Sequence, residues 1–274
     1  MTGKYISSFL MGGLGNQLFQ ISHALCQGLR HNRNVIFQPT STTNLQGNNA
    51  KIYVDNIFRN LNFQNQLLEY EVINEKSFGF SEINPSNNNT IFNGYFQSSK
   101  YFFGYDDYIK KIFEPKEDFV SKMYDKYPSL MTDNTLSLHI RRGDYLSHPS
   151  IHPTISLSYI DQSLKKIDNY TSVFIFSDDK LYIKDNLRLD SMIIVDEPYD
   201  YEELWLMSMC KNNIICNSTF SWWGSFLNKN INKKIIAPSK WFGQNGPPDY
   251  MDIYENYWTI INVENKNGNL EYVT

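Results

Sequence analysis

Thr135-Leu-Ser-Leu-His139-Ile-Arg-Arg-Gly-Asp144 passes within ten residues from an apolar run to paired arginines, a glycine and an aspartate. An apolar run bounded in this way reads as a buried strand opening into a loop, so the arginines stand at the strand's carboxyl end. Each guanidinium offers a planar fork that matches phosphate oxygens two at a time, and Asp144 can fix the orientation of one of them. A diphosphate is the natural guest of such a turn, with a surface salt-bridge cluster as the bland alternative.

Downstream of this turn the pattern alternates. Helix is expected over 156–167, 180–187, 201–211 and 219–227, and strand over 173–176, 192–195, 214–216 and 234–237. Alternation of this kind predicts a parallel sheet covered by helices, whose ligands bind beyond the carboxyl ends of the strands. Ser177-Asp178-Asp179 and Asn217-Ser218-Thr219 fall at those ends, as 139–144 does, so one rim collects all three motifs.

Upstream, a strand over 6–10, the turn Gly12-Gly-Leu-Gly15, a helix over 16–30 with Leu18, Ile21, Leu25 and Leu29 at helical spacing, and a strand over 35–37 make a β-α-β unit. The glycines invite a dinucleotide reading, but the third glycine of that fingerprint is replaced by Leu18. Where an acidic ribose partner is wanted, at the end of the second strand, the chain offers Gln38. The oxidoreductase reading therefore fails twice. The glycines serve a tight turn that aims Asn16 and Gln17 into a cleft, or a turn with no ligand. From 40 to 93 the pattern is weak, and the Asn-rich stretch 85–90 reads as an exposed loop. Two domains are expected, 1–132 and 133–274, with the last residues free to pack back on the first.

Composition narrows the partners. The 274 residues carry a net charge of −4, which lacks the footprint of a nucleic-acid binder. Cys26, Cys210 and Cys216 are odd in number and unpaired in sequence, so neither a disulfide framework nor a zinc knuckle is indicated. No run approaches the length of a membrane span and no leader precedes the first strand, so a soluble cytosolic protein is expected, with loose association at the inner face of the membrane left open.

The remaining motifs each admit two readings. Asn217-Ser218-Thr219 begins a helix, where free amides and the dipole attract an anion; a plain helix cap is the alternative, and the two are compatible. Asp178 and Asp179 can accept hydrogen bonds from the edge of guanine, bind a metal, or cap the following helix. Metal is disfavoured because no Asp-x-Asp triplet occurs anywhere in the chain. Trp222 and Trp223 suit core packing better than a sugar platform. His148 and His152 are four apart, but Pro149 and Pro153 break the helix that a zinc pair would need; either is a general-base candidate or an ordinary exposed histidine.

Gly12-Gly-Leu-Gly-Asn-Gln-Leu-Phe-Gln20, His139-Ile-Arg-Arg-Gly-Asp-Tyr145 and Asn217-Ser-Thr-Phe-Ser-Trp-Trp-Gly224, in this order, resemble the inverting α-1,2-fucosyltransferases of glycosyltransferase family eleven. The resemblance spans most of the chain. It implies an α/β fold of the GT-B type, two Rossmann-like domains facing a cleft, with GDP-fucose held by the C-terminal domain and the acceptor by the N-terminal one. It implies transfer of L-fucose from GDP-β-L-fucose to the 2-hydroxyl of a galactose-terminated acceptor, such as a lactose-like sugar or a surface polysaccharide intermediate, with inversion and without a divalent metal. By the same resemblance Arg141 holds the β-phosphate, and His139, Arg142 and Asp144 complete its motif. Asp179, with Asp178 beside it, meets the guanine edge, and Asn217, Ser218 and Thr219 the diphosphate. Gly15, Asn16 and Gln17 fall to the acceptor, and Asn16 and His152 are the candidates for orienting or deprotonating it. The rival readings are a glycan- or nucleotide-binding protein without turnover and a transferase of another sugar nucleotide.

Overall fold

The computed structural model describes residues 4–39, 50–131 and 134–274. These form two compact units, Met1–Glu114 with Asp249–Glu255, and Pro115–Pro248 with Asn256–Thr274. The expected division between 132 and 133 lies outside the described residues. The boundary falls earlier, at 114/115, because the helix that follows it belongs to the second unit: Phe119 packs on Trp205 and Lys126 pairs with Glu197. The return of the chain to the first unit is made by 249–255 rather than by the last residues. Asp249 and Asp252 accept the backbone N–H groups of Gly79 and Phe80, and Lys100 pairs with Asp252.

The first unit is built from β1 (Tyr5–Ser8), α1 (Leu14–His31), β2 (Asn34–Val35), β3 (Glu71–Asn74), β4 (Thr90–Asn93) and the short α2 (Asp106–Ile112). Its sheet is parallel, in the order β2-β1-β4-β3. β3 and β4 lie in the stretch where the sequence pattern is weak, for a physical reason: β3 is an edge strand with largely exposed side chains, so it needs no apolar period. α1 is buried almost all round, including His23, which stacks on Phe96 with 4.0 Å between ring centres. It ends at Asn32 in the left-handed conformation (φ 49°), whose N–H returns to the carbonyls of Gly28 and Leu29.

The second unit contains α3 (Glu117–Lys126), β5 (Thr135–Ile140), β6 (Thr154–Ile155), α4 (Leu157–Leu164), β7 (Ser172–Ser177), α5 (Lys180–Asn186), β8 (Met192–Ile194), α6 (Asp200–Met209), β9 (Asn212–Ile214), α7 (Thr219–Leu227), β10 (Ile235–Pro238), β11 (Thr259–Ile261), β12 (Val263–Lys266) and β13 (Asn269–Tyr272). Six strands form one parallel sheet, in the order β11-β10-β9-β5-β7-β8, and β12, β13 and β6 form a small separate sheet. Leu136, Leu138 and Ile140 join one apolar core with Val173, Ile175, Ile214 and Ile236. The alternate residues Ser137 and His139 must point to the other face. There Ser137 accepts from Asn213 Nδ2 at 2.7 Å.

Strand order places the ligand crevice. In the second unit the chain lays down β5, β7 and β8 on one side and then crosses back to put β9 against β5, so the order reverses between β5 and β9. In the first unit it reverses between β1 and β4. Open parallel sheets bind ligands outside the carboxyl ends at such switch points. The arginine turn follows β5 and Asn217-Ser218-Thr219 follows β9; the glycine turn follows β1.

One close approach tests the packing of the first unit. A Cβ on Gly28 would stand 2.2 Å from Val35 Cγ2, so α1 lies against β2 only because position 28 has no side chain. Helix propensity alone predicts that Gly28→Ala gains up to ~1 kcal/mol; overpacking predicts a loss of ~1–3 kcal/mol. We expect the loss, read as a lowered thermal midpoint, and a raised midpoint would contradict the packing described.

Candidate active site

Arg141 and Arg142 follow β5 directly and engage different carboxylates. Asp178, directly after β7, accepts the backbone N–H of Arg142 at 2.8 Å and lies 3.1 Å from Arg141 Nη1. Asp144 takes the other edge of the same guanidinium, with Nε at 3.0 Å and Nη2 at 2.8 Å. Arg141 is thus held between two carboxylates, with its plane over the Tyr145 ring at 5.9 Å. Arg142 is directed elsewhere. Its Nε donates to Asp179 at 3.1 Å and its guanidinium lies 3.5 Å from the centre of the Tyr182 ring. The arrangement depends on Gly143, where a Cβ would come within 2.5 Å of Asp178 Oδ2.

Asp179 also caps α5, accepting Tyr182 N–H at 3.0 Å. That backbone bond, with help from Arg142, holds its carboxyl below the usual range. The cap reading and the ligand reading coexist, because each oxygen keeps an acceptor direction in hand. Between the ends of β7 and β8 lies a cavity of about 490 Å³, lined by Asp178, Asp179, Lys180, Leu181, Glu197 and Glu203 among others. Burial pushes the Glu203 carboxyl up to about 7, against the pull of Lys180, its neighbour at 3.6 Å.

Ser218 caps α7, accepting Phe220 N–H at 3.3 Å, and Thr219 begins the helix, half-buried. Asn217 is a brace. Its side chain is buried and donates to the carbonyls of Pro153 and Trp241 at 3.0 and 2.9 Å, which ties the His152 loop to the end of β9. Tyr145 joins the same brace, its hydroxyl donating to Asn217 O at 2.8 Å. Trp222 and Trp223 are fully buried, as core packing requires.

His152 stacks on Tyr145 with ring centres 4.9 Å apart and planes at 22°, so it reaches the arginine turn. Burial lowers its pKa, although Asp144 pulls the other way. Its Nδ1 is buried and makes no hydrogen bond among the described residues. A histidine base is normally held in its working tautomer by an acceptor at the nitrogen away from substrate, and this one lacks that acceptor. His139, on β5, is fully buried and lies 3.2 Å from Cys216 Sγ through Nδ1. Burial, followed by the nearby Arg141 charge, lowers its pKa to about 3, so the ring is neutral.

In the first unit Gly12 has φ +76°, and a Cβ there would meet Asn16 Nδ2 at 2.4 Å. The glycine turn is therefore fixed at that position. Gln17 is buried and donates to Gly12 O at 3.0 Å, while Gln20 both donates to and accepts from Met11. These two amides hold the turn. Asn16 Oδ1 accepts from Gln97 Nε2 at 3.0 Å, which bridges the switch point between β1 and β4. Gly15 is buried in the first turn of α1. Sequence reasoning missed Gln97, Tyr145 and Cys216. Tyr145 and Cys216 each adjoin a motif, whereas Gln97 follows a strand with no legible pattern. Among the described residues no group of three or more His, Cys, Asp or Glu is arranged to hold a metal ion, and no helix is long and apolar enough to cross a membrane.

Comparison with known proteins agrees with this architecture. The model of the family "Glycosyl transferase family 11" matches residues 9–262. The chain is 31% identical over 265 residues to an alpha-1,2-colitosyltransferase of Escherichia coli, covering 85% of this chain and 91% of that protein. It is 33% identical over 165 residues to the O-antigen biosynthesis glycosyltransferase WbnK of Escherichia coli, an alignment spanning 55% of each chain. A galactoside 2-alpha-L-fucosyltransferase of Caenorhabditis elegans matches at 28% over 151 residues, 50% of this chain and 42% of that one. Among solved structures, the fucosyltransferase NodZ from Bradyrhizobium superimposes with a TM-score of 0.52 at 14% identity, over 83% of this chain and 94% of that one. The fold is accordingly α/β of the GT-B type, with a Rossmann-like parallel sheet in each unit.

Neutral buried histidine carries a pH signature. A folded-state pKa near 3 against an ordinary 6.5 means that the unfolded chain binds a proton the native ring refuses. The contribution of His139 is complete above about 6.5 and is lost as pH falls from there towards 3, at ~1.4 kcal/mol per pH unit. Glu75 and Glu203, both pushed up to about 7 by burial, act with the opposite sign, so the total pH profile is a poor readout. The clean quantity is the stability gap between wild type and His139→Gln in urea titrations. It should narrow by ~2 kcal/mol from pH 7 to pH 5, and a constant gap would contradict the burial assigned to this ring.

Proposed function

The chain belongs to glycosyl transferase family 11, and on that footing we propose that this glycosyltransferase moves L-fucose from GDP-β-L-fucose to the 2-hydroxyl of a galactose-terminated acceptor, with inversion and without a divalent metal. The observation that carries the reading is that Arg141, pre-oriented after β5, and the capped start of α7, which follows β9, stand past the ends of the two neighbouring strands that flank the switch point. Fork and helix start supply two kinds of donor for the two phosphates of a nucleoside diphosphate.

In the proposed reaction the acceptor hydroxyl attacks the anomeric carbon from the face opposite GDP, its oxygen forms the new bond, and GDP departs with the bonding pair. Negative charge grows on the β-phosphate as that bond lengthens. Arg141 meets this charge more strongly in the transition state than in the ground state, which is what lowers the barrier. Asp144, with half of its side chain exposed, is the carboxylate that cedes the fork to phosphate, while Asp178 keeps its grip from the other side. Asp178, Asp179 and the adjoining cavity are the proposed guanosine site. Asn16, with Gly15 and Gln17 around it, is proposed to orient the acceptor. His152 is the candidate proton acceptor, and the unpartnered Nδ1 makes it a weak one. The Escherichia coli relative named a colitosyltransferase gives a second reading, in which the same machinery takes a colitose-bearing donor.

GDP should be released from GDP-fucose when a galactoside is added, with an α-1,2 linkage in the product, and a chelator should leave turnover unchanged. A preference for the colitose-bearing donor would select the second reading. Arg141→Ala should cut turnover on the order of a hundredfold or more, and Arg141→Lys should recover little because it lacks the fork. Folded Arg141→Ala with activity within a few-fold of wild type would refute the role given to this residue.

A further inference from the structure

The buried pair His139 and Cys216 spans the switch point and is used by none of the steps above. In register, Leu138 faces Ile214, and His139 near the end of β5 and Cys216, two residues past the end of β9, meet where the strand order reverses. Cys216 Sγ lies 3.2 Å from His139 Nδ1, and both residues are buried. The His139 side chain makes no other hydrogen bond among the described residues, which leaves Nε2 as its open edge.

Both partners are neutral. Burial pushes the thiol up to about 12, while the imidazole is held far below its usual value, so one S–H and one ring N–H must be shared between Sγ, Nδ1 and Nε2. Ser221 Oγ stands at a longer 3.8 Å from the sulfur. An unprotonated ring nitrogen is a strong acceptor and a thiol sulfur a weak one, so the bond runs from sulfur to nitrogen. A carboxylate or carbonyl at Nδ1 would accept from the ring and drive its proton onto Nδ1; a thiol donor does the reverse.

We infer that Cys216 is a positioning residue: its thiol donates to His139 Nδ1, keeps the imidazole proton on Nε2, and makes the open edge of the ring a hydrogen-bond donor to an oxygen of the bound nucleotide. The inference rests on the nucleotide site proposed above, but its first readout does not.

Nitrogen-15 labelled histidine, observed by long-range proton–nitrogen correlation, reports the tautomer directly. In the wild-type protein His139 should show a protonated Nε2 and an unprotonated Nδ1. Cys216→Ser, which keeps a donor, should preserve this pattern. Cys216→Val, which has none, should shift the populations towards Nδ1–H. Added GDP should move the wild-type Nε2 resonance, and Cys216→Val should weaken GDP binding by about fivefold, the worth of one hydrogen bond, with Cys216→Ser restoring it. A wild-type ring protonated at Nδ1, or a Cys216→Val protein with wild-type tautomer and affinity, overturns the inference. GDP that leaves every resonance in place overturns the nucleotide site instead.

Discussion

One carboxylate organises the rim of the second unit. Asp178 takes the Arg142 backbone N–H with one oxygen and approaches the Arg141 guanidinium with the other, so this side chain joins the loop after β5 to the loop after β7 at two points. Adjacent arginines on a loop would otherwise sample many rotamers and lose that freedom only when a ligand arrived. Here the freedom is removed on folding, by Asp144 and Asp178 around Arg141 and by Asp179 and the Tyr182 face around Arg142. Pre-orientation of donors is what lets an electrostatic site stabilise a transition state without reorganising.

The same economy governs the supports. Asn217 donates both amide hydrogens inward, Tyr145 offers its ring to His152 and its hydroxyl to the backbone, and Ser218 caps the helix that follows β9. Few of these side chains need meet a ligand for the site to depend on them. Substituting a support changes where Arg141 or His152 stands, and a 1 Å misplacement can cost as much as losing a reacting group.

Much of the second unit was legible because its strands are short apolar runs separated by helical periods, and every motif sits where a strand ends. The arginine, Ser-Asp-Asp and Asn-Ser-Thr segments were all found that way, and the buried tryptophans followed from their helical spacing. The first unit was less legible past its opening β-α-β. β3 is an exposed edge and β4 offers only the buried pair Ile91-Phe92 after an Asn-rich turn, so neither carries a full strand period, and Gln97 was lost with them. Direction of side chains was beyond the sequence as well. Nothing in Gly-Asn-Gln or Cys-Asn-Ser says that Gln17 and Asn217 turn inward as braces while Asn16 bridges two strand ends. Such choices are made by tertiary contacts, since the residue types allow either orientation.

The proposed reaction turns on Arg141 receiving the leaving diphosphate. A crystal structure of the protein with GDP tests that most directly. The β-phosphate should lie within hydrogen-bonding distance of the Arg141 guanidinium and near the start of α7, with Asp144 swung away and Asp178 in place. GDP bound with its phosphates remote from Arg141, or with the Asp144 pair intact, would contradict it.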